Sequence, residues 1–202
     1  RGLGDVYKRQ VELTLVAGTG YSIGTGASVV GLIGNDDGES DWQLFANRGL
    51  IQILDDAETL PASTIVVDGL TGIVNGVTVT LCGLTHKWTG DLDVALVSPS
   101  GQGVMLMSDV PGAAADATFK FSDRAKRSLD QIDTSFKTGI YKPTDVRGAL
   151  DLTDFETPYS TALSVFNGGS PNGEWTLRVR DDEFRLDGEI SGGWILEFQT
   201  IV

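Results

Sequence analysis

Residues 78–101 read TVTLCGLTHKWTGDLDVALVSPSG and contain the chain's only cysteine and only histidine, Cys82 and His86. Two apolar, alternating stretches flank a polar, acidic loop. Because side chains of a half-buried strand point inward at every second residue, this alternation predicts two β-strands joined as a hairpin. We expect His86 to lie at the end of the hairpin. The inward-facing positions are Val77, Val79 and Leu81 before the loop, and Leu92, Val94 and Leu96 after it.

Composition narrows the classes of function. With 202 residues, 41% of them hydrophobic, the chain can bury a substantial core. It has no run of about 18 apolar residues, so the sequence predicts no membrane span. A formal charge of -13 argues against nucleic-acid binding, because phosphate recognition requires clustered Lys and Arg. Asp outnumbers Glu, which favours loops and turns over helices.

The single histidine restricts nucleophilic catalysis. A Ser-His-Asp triad needs a histidine as its base, and His86 is the only candidate in the sequence. There is also no cluster of histidines for zinc. We therefore expect no hydrolytic activity from this chain, and we interpret His86 as a residue that packs or forms hydrogen bonds across the turn.

Acidic residues near the loop are candidate metal ligands. Asp91 and Asp93 are two positions apart, which predicts that they share one face at the start of a strand. They either face solvent or, together with Asp109 and with Asp123 or Asp116, supply oxygen atoms to Ca²⁺, which takes about six to eight such ligands. Ca²⁺ is therefore the one cofactor that the sequence suggests.

A second acidic cluster, at residues 181–183 with Asp187, lies between two strands that contain Trp175 and Trp194. In these strands the large apolar residues fall at every second position, which predicts that Trp175 and Trp194 face the core. Asp187-Gly188 is a strong turn signal, so turn formation explains this cluster, and metal binding is an additional possibility.

Further short alternating segments indicate the fold class. They are bounded by Gly, Pro, Asn and Asp, which favour turns. Many short strands joined in this way predict an all-β protein, an antiparallel jelly-roll β-sandwich. The expected strands are residues 51–53, 64–67, 73–77, 104–107, 117–121, 160–165, 174–180 and 193–199, in addition to those of the opening segment.

The first 37 residues carry two other resemblances. Residues 1–10 resemble the in-frame translation of a transposase-based sequencing adapter, so we exclude them from the fold argument and expect the native chain to continue upstream. Residues 11–37 alternate as a fragmentary hairpin and resemble the end of a Calx-beta repeat, on the segments 20–24 (GYSIG) and 35–37 (NDD). This likeness makes Asp36 and Asp37 candidates for an interdomain calcium site. Residues 38–48 are interpreted as a linker.

A series of short motifs follows in order along residues 49–202. They are 84–86 (LTH), 90–93 (GDLD), 96–101 (LVSPSG), 106–109 (LMSD), 121–123 (FSD), 139–143 (GIYKP), 163–168 (LSVFNG), 172–177 (NGEWTL) and 194–196 (WIL). In this order they resemble the P domain of proprotein convertases, the kexin- and furin-like proteases. The resemblance implies a jelly roll, similar to galactose-binding modules, that follows a subtilisin-like catalytic domain and stabilises it, often with bound calcium. Ser122 departs from the family pattern, in which an acidic residue often precedes Asp123.

Together these features predict a non-catalytic accessory or stabilising module of a secreted or cell-surface, bacterial multidomain protein. Its expected partner is an upstream domain of the same polypeptide. One alternative is the P domain of a subtilisin-like serine endopeptidase whose catalytic domain lies upstream. Another is a glycan-binding or adhesion module, because jelly rolls often bind sugars through exposed aromatic side chains in loops. Trp88 and Trp42 are the exposed candidates, and Trp88 is the residue that we expect to bind a sugar.

Overall fold

Short alternating segments separated by Gly, Asp and Pro turns form β-strands throughout the part of the chain that the computed structural model describes, which is residues 42–131, 135–146, 155 and 159–202. The predicted all-β class is confirmed. No helix among these residues has the length and apolar character to cross a membrane. The strands are β1 (Trp42–Asn47), β2 (Ile51–Ile53), β3 (Ala57–Glu58), β4 (Ser63–Val67), β5 (Ile73–His86), β6 (Leu92–Val97), β7 (Gly103–Ser108), β8 (Ala114–Phe121), β9 (Gly139–Tyr141), β10 (Thr144–Asp145), β11 (Gly173–Asp181), β12 (Gly188–Ile190) and β13 (Trp194–Ile201).

The strands form two sheets of a sandwich. The first sheet has the order β1-β13-β5-β12-β2, and β8 pairs with β5 and carries β9. The second has the order β10-β7-β6-β11-β3, with β4 also on β11. Most pairs are antiparallel, as predicted, but β8–β9 and β7–β10 are parallel, so both sheets are mixed. The 14-residue strand β5 anchors the first sheet, because it pairs with β13, β12 and β8.

The core lies between the sheets and is built by the predicted alternation. Each sheet turns one row of apolar side chains inward, which removes that row from water. Trp175 of β11 contacts Phe198 of β13, at a distance of 5.1 Å between ring centroids, and these two strands belong to opposite sheets. The fully or almost fully buried residues include Val79, Leu81, Leu92, Val94, Leu96, Trp175, Leu177, Val179, Trp194, Leu196 and Phe198.

The opening segment is not a hairpin. Its first strand, β5, belongs to one sheet and its second strand, β6, to the other, so residues 87–91 cross the sandwich. Buried Thr89 holds this crossing in place: its hydroxyl donates to the Val110 carbonyl (2.7 Å) and its amide to the Gly112 carbonyl (2.8 Å). Alternation reports which face of a strand is buried, but it does not report which strand lies beside it.

The interpretation of residues 38–48 as a linker also differs from the structure. Trp42–Asn47 form β1, which pairs antiparallel with β13 from Trp42 opposite Gln199 to Asn47 opposite Trp194. Phe45 packs edge-on against Phe198, with ring centroids 6.2 Å apart. Four of the six residues of β1 are apolar, but they do not alternate strictly with polar ones and none is fully buried, so the segment lacks the sequence pattern of a half-buried strand. The predicted Calx-beta-like hairpin (11–37), with Asp36 and Asp37, lies outside the described residues.

Candidate functional site

His86 ends β5 at the point where the chain leaves the first sheet, and it joins the two sheets. Its Nε2 atom lies 3.0 Å from Oδ2 of Asp181, the last residue of β11 in the second sheet. Both side chains are fully buried. The Nδ1 atom lies 2.9 Å from the carbonyl oxygen of Trp88, within the crossing. His86 therefore bonds across the sandwich as well as within the turn.

Two contacts of Nδ1 bear on the tautomer of His86. The Trp88 carbonyl oxygen, which only accepts hydrogen bonds, lies at 2.9 Å, whereas the Trp88 amide, which only donates, lies at 3.4 Å, so the shorter contact favours a proton on Nδ1. In that tautomer, a hydrogen bond between Nε2 and Oδ2 of Asp181 requires one further proton between these two atoms. Whichever of these two atoms holds it, the pair has no net charge, which avoids the cost of burying a single ion. Because both ring nitrogens are engaged and the ring is inaccessible, His86 cannot act as a base on a substrate.

Burial raises the pKa of Asp181. Two contacts work in the opposite direction and favour its ionised form. The amide of Glu183 donates to Oδ1 (3.1 Å), and His86 lies at Oδ2. Desolvation has a larger effect on the pKa than either contact, so the pKa is raised overall, as expected for a carboxyl enclosed between two sheets.

Asp181 of the buried pair also belongs to an acidic group, which consists of Asp91, Asp181, Asp182 and Glu183. Asp91 lies in the 3-10 turn Thr89–Asp91 rather than on the face of a strand, and its carbonyl accepts the amide of Asp182 (3.0 Å). Burial raises the pKa of the Asp91 carboxyl, and the negative charges of Asp181, Asp182 and Glu183 raise it further, whereas His86 lowers it. The group thus concentrates negative charge at one end of the crossing.

The other predicted metal ligands, Asp93, Asp109 and Asp123, lie outside this acidic group. Asp93 is buried in β6 opposite Ser108, the last residue of β7, and Asp109, which directly follows β7, is also buried. The carboxylate of Asp123 instead accepts the amides of Leu163 (2.9 Å) and Ser164 (2.8 Å).

These contacts of Asp123 cap the 3-10 helix Leu163–Phe166, which replaces the strand predicted over residues 160–165. Within the described ranges, no three His, Cys, Asp or Glu side chains are grouped so that they could hold a metal. Asp91, Asp93, Asp109 and Asp123 therefore do not form one ligand set made of side chains alone.

Trp88, the candidate sugar-binding residue, is 45% exposed in the crossing. Its indole lies against Gly90, where the β-carbon of any other residue would come within 2.7 Å of Nε1. The absence of a side chain at position 90 therefore sets the position of the ring.

Sequence reasoning missed Asp181 as the partner of His86, because it assigned residues 181–183 to a turn. The signal was nevertheless present. Trp175, Leu177 and Val179 occupy the buried face of β11, and position 181 continues that alternation. A carboxylate at the fourth position of a buried row requires a buried hydrogen-bonding partner. The only histidine of the chain is such a partner.

Comparison with known proteins identifies one family. The model of the proprotein convertase P-domain matches residues 74–198. No curated protein sequence matches the chain. Two solved structures are similar: a serine protease of Aeromonas sobria (19% identity, TM-score 0.42, 80% of this chain and 26% of that chain) and the same organism's protease in complex with the chaperone ORF2 (20%, 0.42, 80% and 27%). The present chain thus spans about a quarter of the length of those proteins.

Proposed function

This chain belongs to the proprotein convertase P-domain family, and we propose that it works as a non-catalytic accessory domain that stabilises another domain of its own polypeptide. The observation that supports this role is the use of the only histidine as a buried bond between the two sheets. A hydrolase with a Ser-His-Asp triad would need that histidine at an accessible site. The proposed setting is a secreted or cell-surface bacterial protein.

The accessory role is tested by joining the domain to its native upstream neighbour, recovered from the uninterrupted reading frame. Removing residues 42–202 is expected to lower the melting temperature of that neighbour, while the 202-residue chain alone leaves a fluorogenic casein substrate uncleaved. Cleavage of casein by the 202-residue chain alone contradicts the proposal. An unchanged melting temperature of the neighbouring domain contradicts it as well. A subtilisin-like neighbour supports a protease parent, whereas further Calx-beta-like repeats support a surface adhesion protein.

Calcium is the proposed ligand of the acidic group. Carboxylates that repel one another and have raised pKa values are stabilised by a divalent cation, and Ca²⁺ also accepts backbone carbonyls and water as ligands. Because the side chains of the described residues alone do not form a ligand set, the proposed site has Asp91 as its principal carboxylate, backbone carbonyls and water as further ligands, and Asp93 in β6 and Asp109 directly after β7 as the other candidate carboxylates. When bound, the ion would supply a positive charge that cross-links the crossing to the end of β11.

We expect Ca²⁺ at about 100 times its dissociation constant to stabilise the domain by about 2.7 kcal/mol. For a domain of this size that corresponds to a rise in melting temperature of roughly 5–11 °C. Differential scanning calorimetry with EDTA and with excess Ca²⁺ measures the shift. As a control, Asp123→Asn should keep the shift, because its carboxylate caps a helix, while Asp91→Asn should lose it. Superimposable melts of the wild type would reject calcium binding.

The raised pKa of Asp91 predicts a pH dependence in EDTA. The folded-state pKa lies above the ordinary value of 3.8, so the native state binds more protons than the unfolded chain in the interval between the two values. Stability therefore falls as the pH rises through that interval, and the loss persists above it.

Asp91→Asn removes this titration. We expect the variant to melt at a higher temperature than the wild type at neutral pH, and the difference to shrink as the pH falls below the ordinary aspartate range. Melting curves collected along a pH series in EDTA provide the measurement. If the variant melts at a higher temperature than the wild type by the same amount at every pH, titration of Asp91 is excluded as the cause.

Glycan binding remains the second candidate function, and it is favoured by the exposed indole of Trp88. A glycan array discriminates it from the accessory role. Specific signals that disappear with Trp88→Ala, and persist with Trp42→Ala, would support a sugar site at the crossing.

A further inference from the structure

A basic cleft lies where β8 and β9 meet the loop of residues 122–127. Its volume is about 450 Å³, which falls in the range of about 300–1,000 Å³ that is common for ligand sites. Lys120 of β8 and Ile140 of β9 are register partners and stand side by side on the face of the sheet that points away from the core. The cleft is lined chiefly by Lys120, Arg124, Ala125, Lys126, Arg127 and Ile140.

The cleft concentrates positive charge in a strongly acidic protein. Four of the chain's 15 Lys and Arg residues lie within positions 120–127, although the formal net charge is -13. The one acidic residue of that segment, Asp123, directs its carboxylate to the amides of Leu163 and Ser164. Its single negative charge offsets only one of the four positive charges, so the segment keeps a net positive charge.

The cations of the cleft fall into two kinds. Lys120 is bonded to Glu197 of β13 (2.5 Å), which also accepts the hydroxyl of buried Thr78, so Lys120 is part of the sheet. Arg124, Lys126 and Arg127 are exposed, and no carboxylate of the described residues forms an ion pair with them. These three side chains are available to an incoming anion.

The cleft also has an apolar surface. Ile140 is 58% exposed on β9, a three-residue strand that pairs with β8 alone, and Ala125 lies beside it. An exposed isoleucine next to three cations suits a ligand that brings both carboxylates and an apolar side chain. A chain of sulfated or carboxylated sugars would satisfy the cations but would bring no comparable apolar group to Ile140.

We propose that the basic cleft binds an acidic peptide segment of a partner domain or protein, in which carboxylates flank an apolar side chain. The carboxylates pair with Arg124, Lys126 and Arg127, and guanidinium groups bind carboxylates through two parallel hydrogen bonds. The apolar side chain packs on Ile140 and removes it from water. The binding is independent of the acidic group at the crossing and of calcium.

The test uses the 202-residue chain and two fluorescein-labelled pentapeptides, DELDE and DESDE, followed by fluorescence anisotropy. DELDE is expected to bind saturably at about 50 mM NaCl and to weaken markedly at about 300 mM, because salt screens exposed charges. Reversing two cleft charges with Lys126→Glu and Arg127→Glu is expected to weaken DELDE binding by about tenfold or more. Ile140→Ser is expected to weaken the affinity for DELDE by about threefold, because the leucine of the peptide loses its apolar contact. The affinity for DESDE, which has no leucine, should not change.

The matched control is the pair Lys87→Glu and Arg185→Glu, two exposed cations that do not line the cleft but change the net charge equally. It should alter DELDE affinity by less than about twofold. Unchanged melting temperatures verify that the variants fold. Non-saturable binding of DELDE, or equal weakening by the control pair, overturns the proposal. Binding of dextran sulfate to the cleft without binding of DELDE also overturns it and assigns the cleft to anionic polysaccharides.

Discussion

Replacing His86 by alanine is expected to lower the free energy of unfolding by about 3–5 kcal/mol, because it leaves the buried Asp181 carboxyl without its partner. Both side chains have no exposed surface, so water cannot replace the lost bond. For a domain of this length the melting temperature should fall by roughly 6–20 °C. Urea denaturation followed by tryptophan fluorescence, with the slope checked for constancy, measures the change.

The double variant His86→Leu/Asp181→Leu separates the loss of the bond from the loss of packing. Replacing both members of a buried pair by apolar residues of similar volume is often neutral or stabilising, so this variant should recover most of the stability that His86→Ala removes. If the double variant is less stable than His86→Ala, then an unpaired Asp181 is not the origin of the effect. A cost below about 1 kcal/mol for His86→Ala would equally contradict the account.

Trp175→Ala should cost about 3–5 kcal/mol through the cavity that it leaves between the sheets. The indole is almost fully buried, and its centroid lies 5.0 Å from that of Phe166 and 5.1 Å from that of Phe198. Its Nε1 donates to the carbonyl of Pro171 (2.7 Å). The expected result is a fall in the urea midpoint with an unchanged slope.

Trp88→Ala provides the matched control, because that indole is 45% exposed. Its removal should cost less than about 1 kcal/mol. The cost of Trp175→Phe in free energy of unfolding should lie between those of Trp175→Ala and Trp88→Ala. This variant keeps most of the ring packing but loses the hydrogen bond to Pro171. Similar costs for Trp175→Ala and Trp88→Ala would mean that the two sheets are not held together by the contacts of Trp175.

The local part of the fold was predictable from the sequence. Alternation in β11 and β13 correctly identified Trp175 and Trp194 as core residues, because the period of a strand is a property of its own backbone. The ordered P-domain motifs gave the family, which the match over residues 74–198 confirms. Neither inference needed contacts between distant parts of the chain.

The long-range part was not predictable. Sheet membership depends on which strands meet in space, so the crossing between β5 and β6 was taken for a hairpin, and β1 was taken for a linker. The bond between His86 and Asp181 joins residues 95 positions apart, and only the position of Asp181 in a buried row hinted at it. Calcium binding at Asp91, Asp93 and Asp109 stays a prediction.

The pairing of β1 with β13 has a mechanical consequence. These strands are antiparallel, with Trp42 opposite Gln199, so the start of β1 and the end of β13 lie at the same end of the sandwich. A force that pulls on Trp42 and Ile201 therefore loads the hydrogen bonds of this pair one after another, as in a zipper, instead of all together in shear. Under tension between these two points, β1 should peel away at low force while β5, enclosed by β13, β12 and β8, keeps its pairing.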